Sequence, residues 1–235
     1  MQKLILGAKK LGIELTPEQI ERFETYYREL VDWNQRINLT AITDYDEVQI
    51  KHFLDSLTVT LALKQPFTNL SLIDVGTGAG LPGLPLKIVF PQIKLTLLDA
   101  TAKKAAFLEH LKTKLQLDDI EIVIGRAEEL AHDSNYREKF DIVLSRAVAF
   151  LPALVELTLP FCTIGGSFIA QKKEELDEVQ QSARGITLLG GNFREVIKID
   201  LPELPERWLV IIEKVSPTPP QYPRRPGIPA KRPLL

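Results

Sequence analysis

The run Leu72-Ile73-Asp74-Val75-Gly76-Thr77-Gly78-Ala79-Gly80-Leu81-Pro82-Gly83 carries the strongest chemical signal in the chain. An apolar stretch enters a loop of closely spaced glycines, and Pro82 then starts a helix. Glycine lets the backbone turn tightly and lets a ligand approach the main chain. The helix start adds N–H groups that lack intrahelical partners. Two ligand classes use such a loop. Gly76, Gly78 and Gly80 spell GxGxG, a methyltransferase form, whereas Gly78, Gly80 and Gly83 spell GxGxxG, the dinucleotide form. Spacing does not separate them. Asp99, which ends the second apolar run, suits the ribose of either ligand. Asp74 tips the balance, because a carboxylate at the mouth of the loop suits a ligand with a cationic amino acid and a sulfonium. It would repel a pyrophosphate.

Arg126-Ala127-Glu128-Glu129 follows the third apolar run. In alternating strand–helix folds, ligands lie beyond the carboxyl ends of the strands. This segment is therefore placed to cover an adenine, although Glu128 and Glu129 also read as a helix start favoured by the dipole. Ser145-Arg146-Ala147 follows the fourth run. Arg146 there either orients the ligand or a phosphate, or makes an ion pair at a helix start.

What is missing narrows the chemistry. After the fourth run there is no Asp/Asn-Pro-Pro-aromatic motif of the kind that holds an exocyclic amine. Methylation of a pyrimidine carbon usually needs a cysteine nucleophile, but Cys162 lies in the apolar stretch LPFCTIGG and reads as core. A ring nitrogen with a free lone pair, such as N7 of guanine, needs neither device. It carries no proton at neutral pH, so in-line positioning and exclusion of water suffice. His52 has no other ligand type at metal spacing, so no metal is expected. His110 and His132 read as helix-surface residues.

The elements that must position these residues follow from periodicity. Thr16-Pro17-Glu18-Gln19 is a helix start, with Thr as cap, Pro at the first helical position and Gln three residues after the cap. Ile20, Phe23, Tyr27, Leu30, Val31 and Ile37 then recur at helical spacing. A second helical run spans Glu47 to Leu63 and closes at Pro66. From Leu70 the pattern becomes short β-rich runs at Leu70–Val75, Lys94–Asp99, Ile120–Ile124, Phe140–Ser145, Ser167–Gln171, Glu195–Ile199 and Trp208–Glu213. Helical stretches such as Leu84–Phe90 and Ala102–Leu115 lie between them. Such alternation predicts an α/β fold with a mostly parallel sheet. The link from Leu201 to Glu206 is too short for a helical crossover, so the last two strands are expected to pair antiparallel.

Composition sets the class. Hydrophobic residues make up 45% and charged residues 26%, as in ordinary globular chains, and 235 residues suit one full α/β domain with an appendage. A single cysteine rules out an intrachain disulfide and fits a reducing compartment. The longest apolar stretch, Ala147 to Val155, is far short of the roughly 20 residues a membrane helix needs. The net charge of −2 argues against nucleic-acid binding as a whole-chain property. Its distribution tells more. From Lys214 to Leu235 there are five basic residues, Lys214, Arg224, Arg225, Lys231 and Arg232, and no acidic ones. This proline-rich tail is expected to be non-helical, either a mobile arm or a segment laid over the domain.

Several distant motifs in one order resemble the bacterial 16S rRNA guanine-N7 methyltransferases, the ribosomal RNA small subunit methyltransferase G family (also called glucose-inhibited division protein B). They are Trp33-Asn34 with Asn38-Leu39-Thr40, His52-Phe53-Leu54-Asp55-Ser56, the Asp74–Gly83 loop, Arg126-Ala127-Glu128, Ser145-Arg146-Ala147, and Tyr222-Pro223-Arg224-Arg225-Pro226-Gly227 with Lys231-Arg232-Pro233-Leu234. The resemblance implies a class I S-adenosylmethionine-dependent methyltransferase fold, Rossmann-like and seven-stranded. It implies a helical N-terminal extension over 1–65, the methyltransferase domain over 66–215 and the tail over 216–235. The implied donor is S-adenosylmethionine, held by Asp74, Gly76, Gly78, Gly80, Leu81, Asp99, Ala127, Glu128 and Arg146. The implied acceptor is a guanine of 16S rRNA in the small ribosomal subunit, met by Lys103, Lys104, Lys172, Lys173, Arg207, Arg224, Arg225, Lys231 and Arg232. A cytoplasmic monomer without membrane or metal partner is expected. NAD-dependent oxidoreduction and a non-catalytic rRNA-binding role are the alternatives. The chain departs from the family at Lys172-Lys173-Glu174, where Lys-Gly is common.

Overall fold

The computed structural model describes residues 1–63, 67, 69–146, 149–173 and 177–235. Pro66, Ala147 and Glu174, which the sequence reading used, lie outside the described residues. Helices α1 (Gln2–Lys10) and α2 (Pro17–Asn34) open the chain. Thr16 caps α2 as its sequence predicts. Its hydroxyl accepts from the Gln19 N–H at 3.2 Å, and the Gln19 side chain accepts from the Thr16 N–H at 2.9 Å. The buried face of α2 is Phe23, Tyr26 and Leu30, so Tyr26 rather than Tyr27 is the aromatic turned fully inward.

The single helix expected over Glu47 to Leu63 is instead broken. Helix α3 (Tyr45–Val48) widens into a π-helical turn at Gln49–Leu54, returns to helix at α4 (Asp55–Leu57) and tightens to a 3-10 turn at Thr58–Ala62. Side chains compete with the backbone ladder there. Ser56, Thr58 and Thr60 donate their hydroxyls to the carbonyls of His52, Asp55 and Leu57 at 2.6, 2.6 and 2.8 Å. Gln171 donates to the Asp55 carbonyl at 2.7 Å. Such insertions bend helices.

The remaining order is β1 (Ser71–Val75), α5 (Gly83–Val89), β2 (Lys94–Asp99), α6 (Ala102–Lys114), β3 (Ile120–Ile124), α7 (Ala127–Leu130), β4 (Phe140–Arg146), α8 (Leu151–Thr158), β5 (Cys162–Lys172), α9 (Asp177–Leu188), β6 (Gly191–Ile199), β7 (Arg207–Lys214) and α10 (Ile228–Lys231). The seven strands lie in the order β3-β2-β1-β4-β5-β7-β6. Strands β1 to β5 pair in parallel, and β7 is antiparallel to both β5 and β6. The antiparallel last pair is as expected. This is the seven-stranded, mostly parallel α/β sheet that the alternation predicts.

Alternation along each strand builds two core layers. Leu72, Leu209 and Ile211 face a layer shared with Leu4, Phe23, Tyr26, Phe53, Leu84 and Phe107. Ile73, Val210 and Ile212 face a second layer with Leu151, Leu154, Phe161 and Ile186. The N-terminal helices are thus packed into the first layer. Each fully buried aliphatic side chain there contributes roughly 1.5–3 kcal/mol.

The tail lies over the second layer, one of the two arrangements the sequence allowed. Arg137 donates to the carbonyls of Thr218, Pro219 and Tyr222 at 2.8, 3.2 and 2.9 Å. Against expectation, the tail includes the one-turn helix α10. Pro229 is tolerated there because it occupies the first turn, where no N–H is needed, and Gly227 supplies the left-handed N-cap at φ 80°.

Candidate functional site

The carboxyl ends of β1, β2 and β4 open onto a cavity of about 900 Å³. Its floor is the glycine loop. Gly76 N and Thr77 N donate to the Leu98 carbonyl at 2.8 and 3.1 Å, which ties the loop to β2. Gly76, Gly78 and Gly80 have φ of 72°, 61° and 91°, a region that side chains disfavour. At Gly80 an added Cβ would meet Leu84 and the Tyr26 hydroxyl at 3.0 Å or less. At Gly78 nothing lies nearer than the Gly76 carbonyl at 4.0 Å, and Gly78 lines the cavity.

Asp74 sits behind this floor. It is fully buried and accepts from the Thr77 hydroxyl at 2.8 Å and the Gly83 N–H at 2.9 Å. Its Oδ1 has no hydrogen-bond partner among the described residues. Burial pushes its carboxyl up to about 6, against those two hydrogen bonds. So the carboxylate takes the first N–H of α5, the position where a pyrophosphate would be received. Tyr26, from the N-terminal segment, braces the loop by donating to the Ala79 carbonyl at 2.5 Å.

Asp99 accepts from Gly78 N at 3.0 Å and Thr101 N at 2.9 Å, and Lys104 stands 3.6 Å from it. The loop after β3 is fixed to the same place, since Gly125 N donates to the Asp99 carbonyl at 3.1 Å. Ala127 and Glu128 follow but are not among the cavity-lining residues. Glu128 is buried and accepts from Gly227 N at 2.9 Å, so it anchors the tail.

The opposite wall comes from the N-terminal segment, through Leu39, Thr40, Ile42, Lys51, His52 and Asp55. Asp55 is 1% exposed and lies between two arginines. Arg146 reaches its Oδ2 at 2.9 Å and donates to the Lys51 carbonyl at 3.2 Å. Arg207 Nε stands 3.2 Å from Oδ1, an ion pair without hydrogen-bond geometry. His52 Nε2 is 2.7 Å from the Thr40 hydroxyl. Burial, with the Arg146 charge adding to it, pushes the His52 imidazole down to about 4, so it is neutral at physiological pH.

Of the residues the sequence singles out, Gly76, Gly78, Leu81, Asp99, Lys104, Arg146, Lys172, Lys173 and Arg207 converge on this cavity. Asp74 and Gly80 shape it from behind. Arg224 does not reach it. Its guanidinium grips the fully buried Glu156 at 2.6 to 3.1 Å. Lys103, Arg225, Lys231 and Arg232 are exposed. Sequence reasoning missed Asp55, His52, Lys51, Thr40 and Gln171 as cavity walls. The available signal was polar residues inside the apolar run Ile50–Leu57. Cys162 is buried with its thiol pushed up to about 12 by burial, as its core reading requires. His110 pairs with Glu29 at 2.7 Å on the helix surface, whereas His132 is drawn to the tail, 2.8 Å from the Pro223 carbonyl. Among the described residues no group of three His, Cys, Asp or Glu could hold a metal ion, and no helix is long and apolar enough to cross a membrane.

Comparison with solved structures places this fold. A SAM-dependent methyltransferase from Aquifex aeolicus superposes with a TM-score of 0.53 at 17% identity, covering 73% of this chain and 94% of that one. A SAM-dependent O-methyltransferase from Thermotoga maritima gives 0.52 at 17%, covering 81% and 72%. At such identities the likeness shows the fold. Sequence relatives are nearer. Proteins called ribosomal RNA small subunit methyltransferase G from Dehalococcoides mccartyi, strain BAV1, and Roseiflexus castenholzii are 54% and 48% identical, each over 100% of both chains. One from Acetivibrio thermocellus is 47% identical over 98% of this chain and 95% of its own. The family model for rRNA small subunit methyltransferase G matches residues 19–203. With that match spanning the glycine loop, Asp55, Arg146 and strands β1 to β6, and with relatives about half identical over the full length, the chain belongs to the rRNA small subunit methyltransferase G family.

Proposed function

We propose that the cavity binds S-adenosylmethionine and presents its methyl group to N7 of a guanine in the 16S rRNA of the small ribosomal subunit. The observation that carries the donor assignment is the floor of the cavity. Gly78 leaves the space a Cβ would fill, and the carboxylates of Asp74 and Asp99 flank the loop that borders it. Two acidic groups suit a cationic sulfonium amino acid and disfavour a pyrophosphate. Gly76, Gly78, Leu81, Asp99 and Arg146 hold the donor in this reading, with Asp74 and Gly80 fixing the loop. Ala127 and Glu128 stand back from the cavity, and their segment contributes by its tie to Asp99.

The acceptor assignment rests on the proton inventory. Among the described residues lining the cavity, Asp55 is paired with Arg146 and Arg207, Glu178 with Lys172, and Asp99 with two N–H groups. The His52 imidazole, pushed down to about 4, is a weak base. A site without a poised base suits a nucleophile that carries no proton. When bound, the donor supplies the electrophilic methyl group. The chain aligns the reactants and excludes water. Lys104, Lys173, Arg207, Arg225, Lys231 and Arg232 are the candidate phosphate contacts.

The test is methyl transfer from labelled S-adenosylmethionine to small subunits that lack the modification, followed by strand scission at N7-methylguanine. Scission at one guanine is expected, and labelled rRNA without scission would refute the N7 assignment. Calorimetric titration with S-adenosylmethionine and with NAD tests the donor, and binding of NAD alone would overturn it.

A further inference from the structure

Among the described residues, Phe150 is the one cavity-lining residue that is also an exposed large hydrophobic, at 42% exposure. Single exposed apolar side chains are ordinary. The backbone around this one is not. Lys172 Nζ donates to the Ala149 carbonyl at 3.2 Å, just before Phe150. Glu178 accepts from the Leu151 N–H at 2.7 Å, just after it. Lys172 and Glu178 are themselves paired at 2.7 Å. One ion pair thus fixes both peptide groups that flank an aromatic ring left open to the cavity. Exposed Lys173 lines the same cavity and makes no ion pair among the described residues. The cavity, at about 900 Å³, is near the top of the roughly 300–1,000 Å³ that single small-molecule sites span. It has room for a second planar group beside the donor.

Proteins hold splayed nucleobases by stacking them on aromatic faces, with cations taking the adjoining phosphates. We propose that Phe150 is the platform on which the acceptor guanine stacks, with Lys173 meeting the adjoining phosphate. The Lys172–Glu178 pair then serves to hold the platform still, and Lys172 acts by positioning, not by contact with RNA. This rests on the rRNA-methylating function proposed above.

The test compares Phe150→Ala, Phe150→Leu, Phe150→Tyr and Phe150→Trp. Donor affinity is measured by calorimetry. Affinity for a 16S rRNA fragment bearing the target guanine is measured in the presence of S-adenosylhomocysteine. Methyl transfer to small subunits gives kcat and KM. Stacking of one base on an aromatic ring predicts a loss of about 5- to 150-fold in fragment affinity and kcat/KM for Phe150→Ala. Phe150→Leu, which keeps apolar bulk but lacks a π face, falls with it. Phe150→Tyr and Phe150→Trp return to near the wild-type value, and donor affinity is unchanged throughout. Full activity of Phe150→Ala or of Phe150→Leu overturns the proposal, as does a loss of donor affinity. If the wild-type protein transfers no methyl group to any guanine, the proposed function falls and takes the platform with it. Transfer that is indifferent to Phe150 removes only the platform.

Discussion

Removing Arg224 measures whether the tail is a structural strap. Glu156 has no exposed surface, and its two carboxylate oxygens take the Arg224 guanidinium at 2.6, 2.9 and 3.1 Å. The Arg224 backbone N–H also donates to Glu156 at 2.7 Å, and the guanidinium reaches the Arg232 carbonyl at 2.7 Å. Arg224→Ala keeps the backbone bond and strips the rest, leaving a buried carboxylate without its cation. Breaking a buried pair from one side costs about 3–5 kcal/mol. The retained N–H and the 27% exposure of Arg224 place the loss at the low end, about 3 kcal/mol. For a chain of this size that lowers Tm by about 6–12 °C. Thermal unfolding followed by circular dichroism reads the shift at neutral pH. Adding Glu156→Met, which removes the stranded charge at similar volume, should restore most of it. A single variant that melts with the wild type, or a double variant no better than the single, refutes the strap. In the first case Arg224 would be available to RNA after all.

Other perturbations separate shaping the site from filling it. Gly78→Val should abolish donor binding in calorimetry while the folded far-UV spectrum persists, because its side chain enters the cavity rather than the core. Undiminished affinity would move the pocket elsewhere. Burial raises the folded Asp74 carboxyl from its ordinary value of 3.8 to about 6, so its favourable contribution is full below about 4 and lost as pH rises through 6. Asp74→Asn should therefore gain roughly 2–3 kcal/mol of stability at pH 7 relative to pH 4, and lose donor affinity. A pH-independent difference between the two proteins would contradict this. Replacing both Arg225 and Lys231 by Ala should weaken rRNA binding and reduce the slope of log affinity against log salt by up to about 2. An unchanged slope would exclude them from the phosphate contacts.

Local rules carried much of the fold. The runs Lys94–Asp99 and Ile120–Ile124 are strands with the predicted bounds, because β-branched and aliphatic residues fit the pleated sheet both in the buried β2 and at the edge strand β3. The Thr16 capping box and the short Leu201–Glu206 link worked for the same reason, since both constraints are local. The broken helix near His52 was not legible. Its breaks combine the local hydroxyls of Ser56, Thr58 and Thr60 with Gln171, more than a hundred residues away, which reaches the Asp55 carbonyl. The same limit governs the site. The glycine loop is contiguous and was found, whereas the Asp55–Arg146–Arg207 group is assembled from three separate elements. Arg224 shows the converse error. A basic residue in a polar-looking tail suggests phosphate, and nothing nearby in sequence reveals that Glu156 waits beneath it.

The sheet order has a consequence for synthesis. In the carboxyl-terminal half of the sheet, chain order and spatial order part company at β7, which lies between β5 and β6. A polypeptide emerging amino end first can assemble β1 to β5 as each strand appears. When Ile199 has emerged, β6 still has no neighbour, and the side of β5 that β7 will pair stays open, with every second residue's N–H and C=O facing outward. Only with Arg207 to Lys214 is that border sealed. An interrupted nascent chain would present the most adhesive edge of the molecule, so the interval between these two strands is where a chaperone would be needed most.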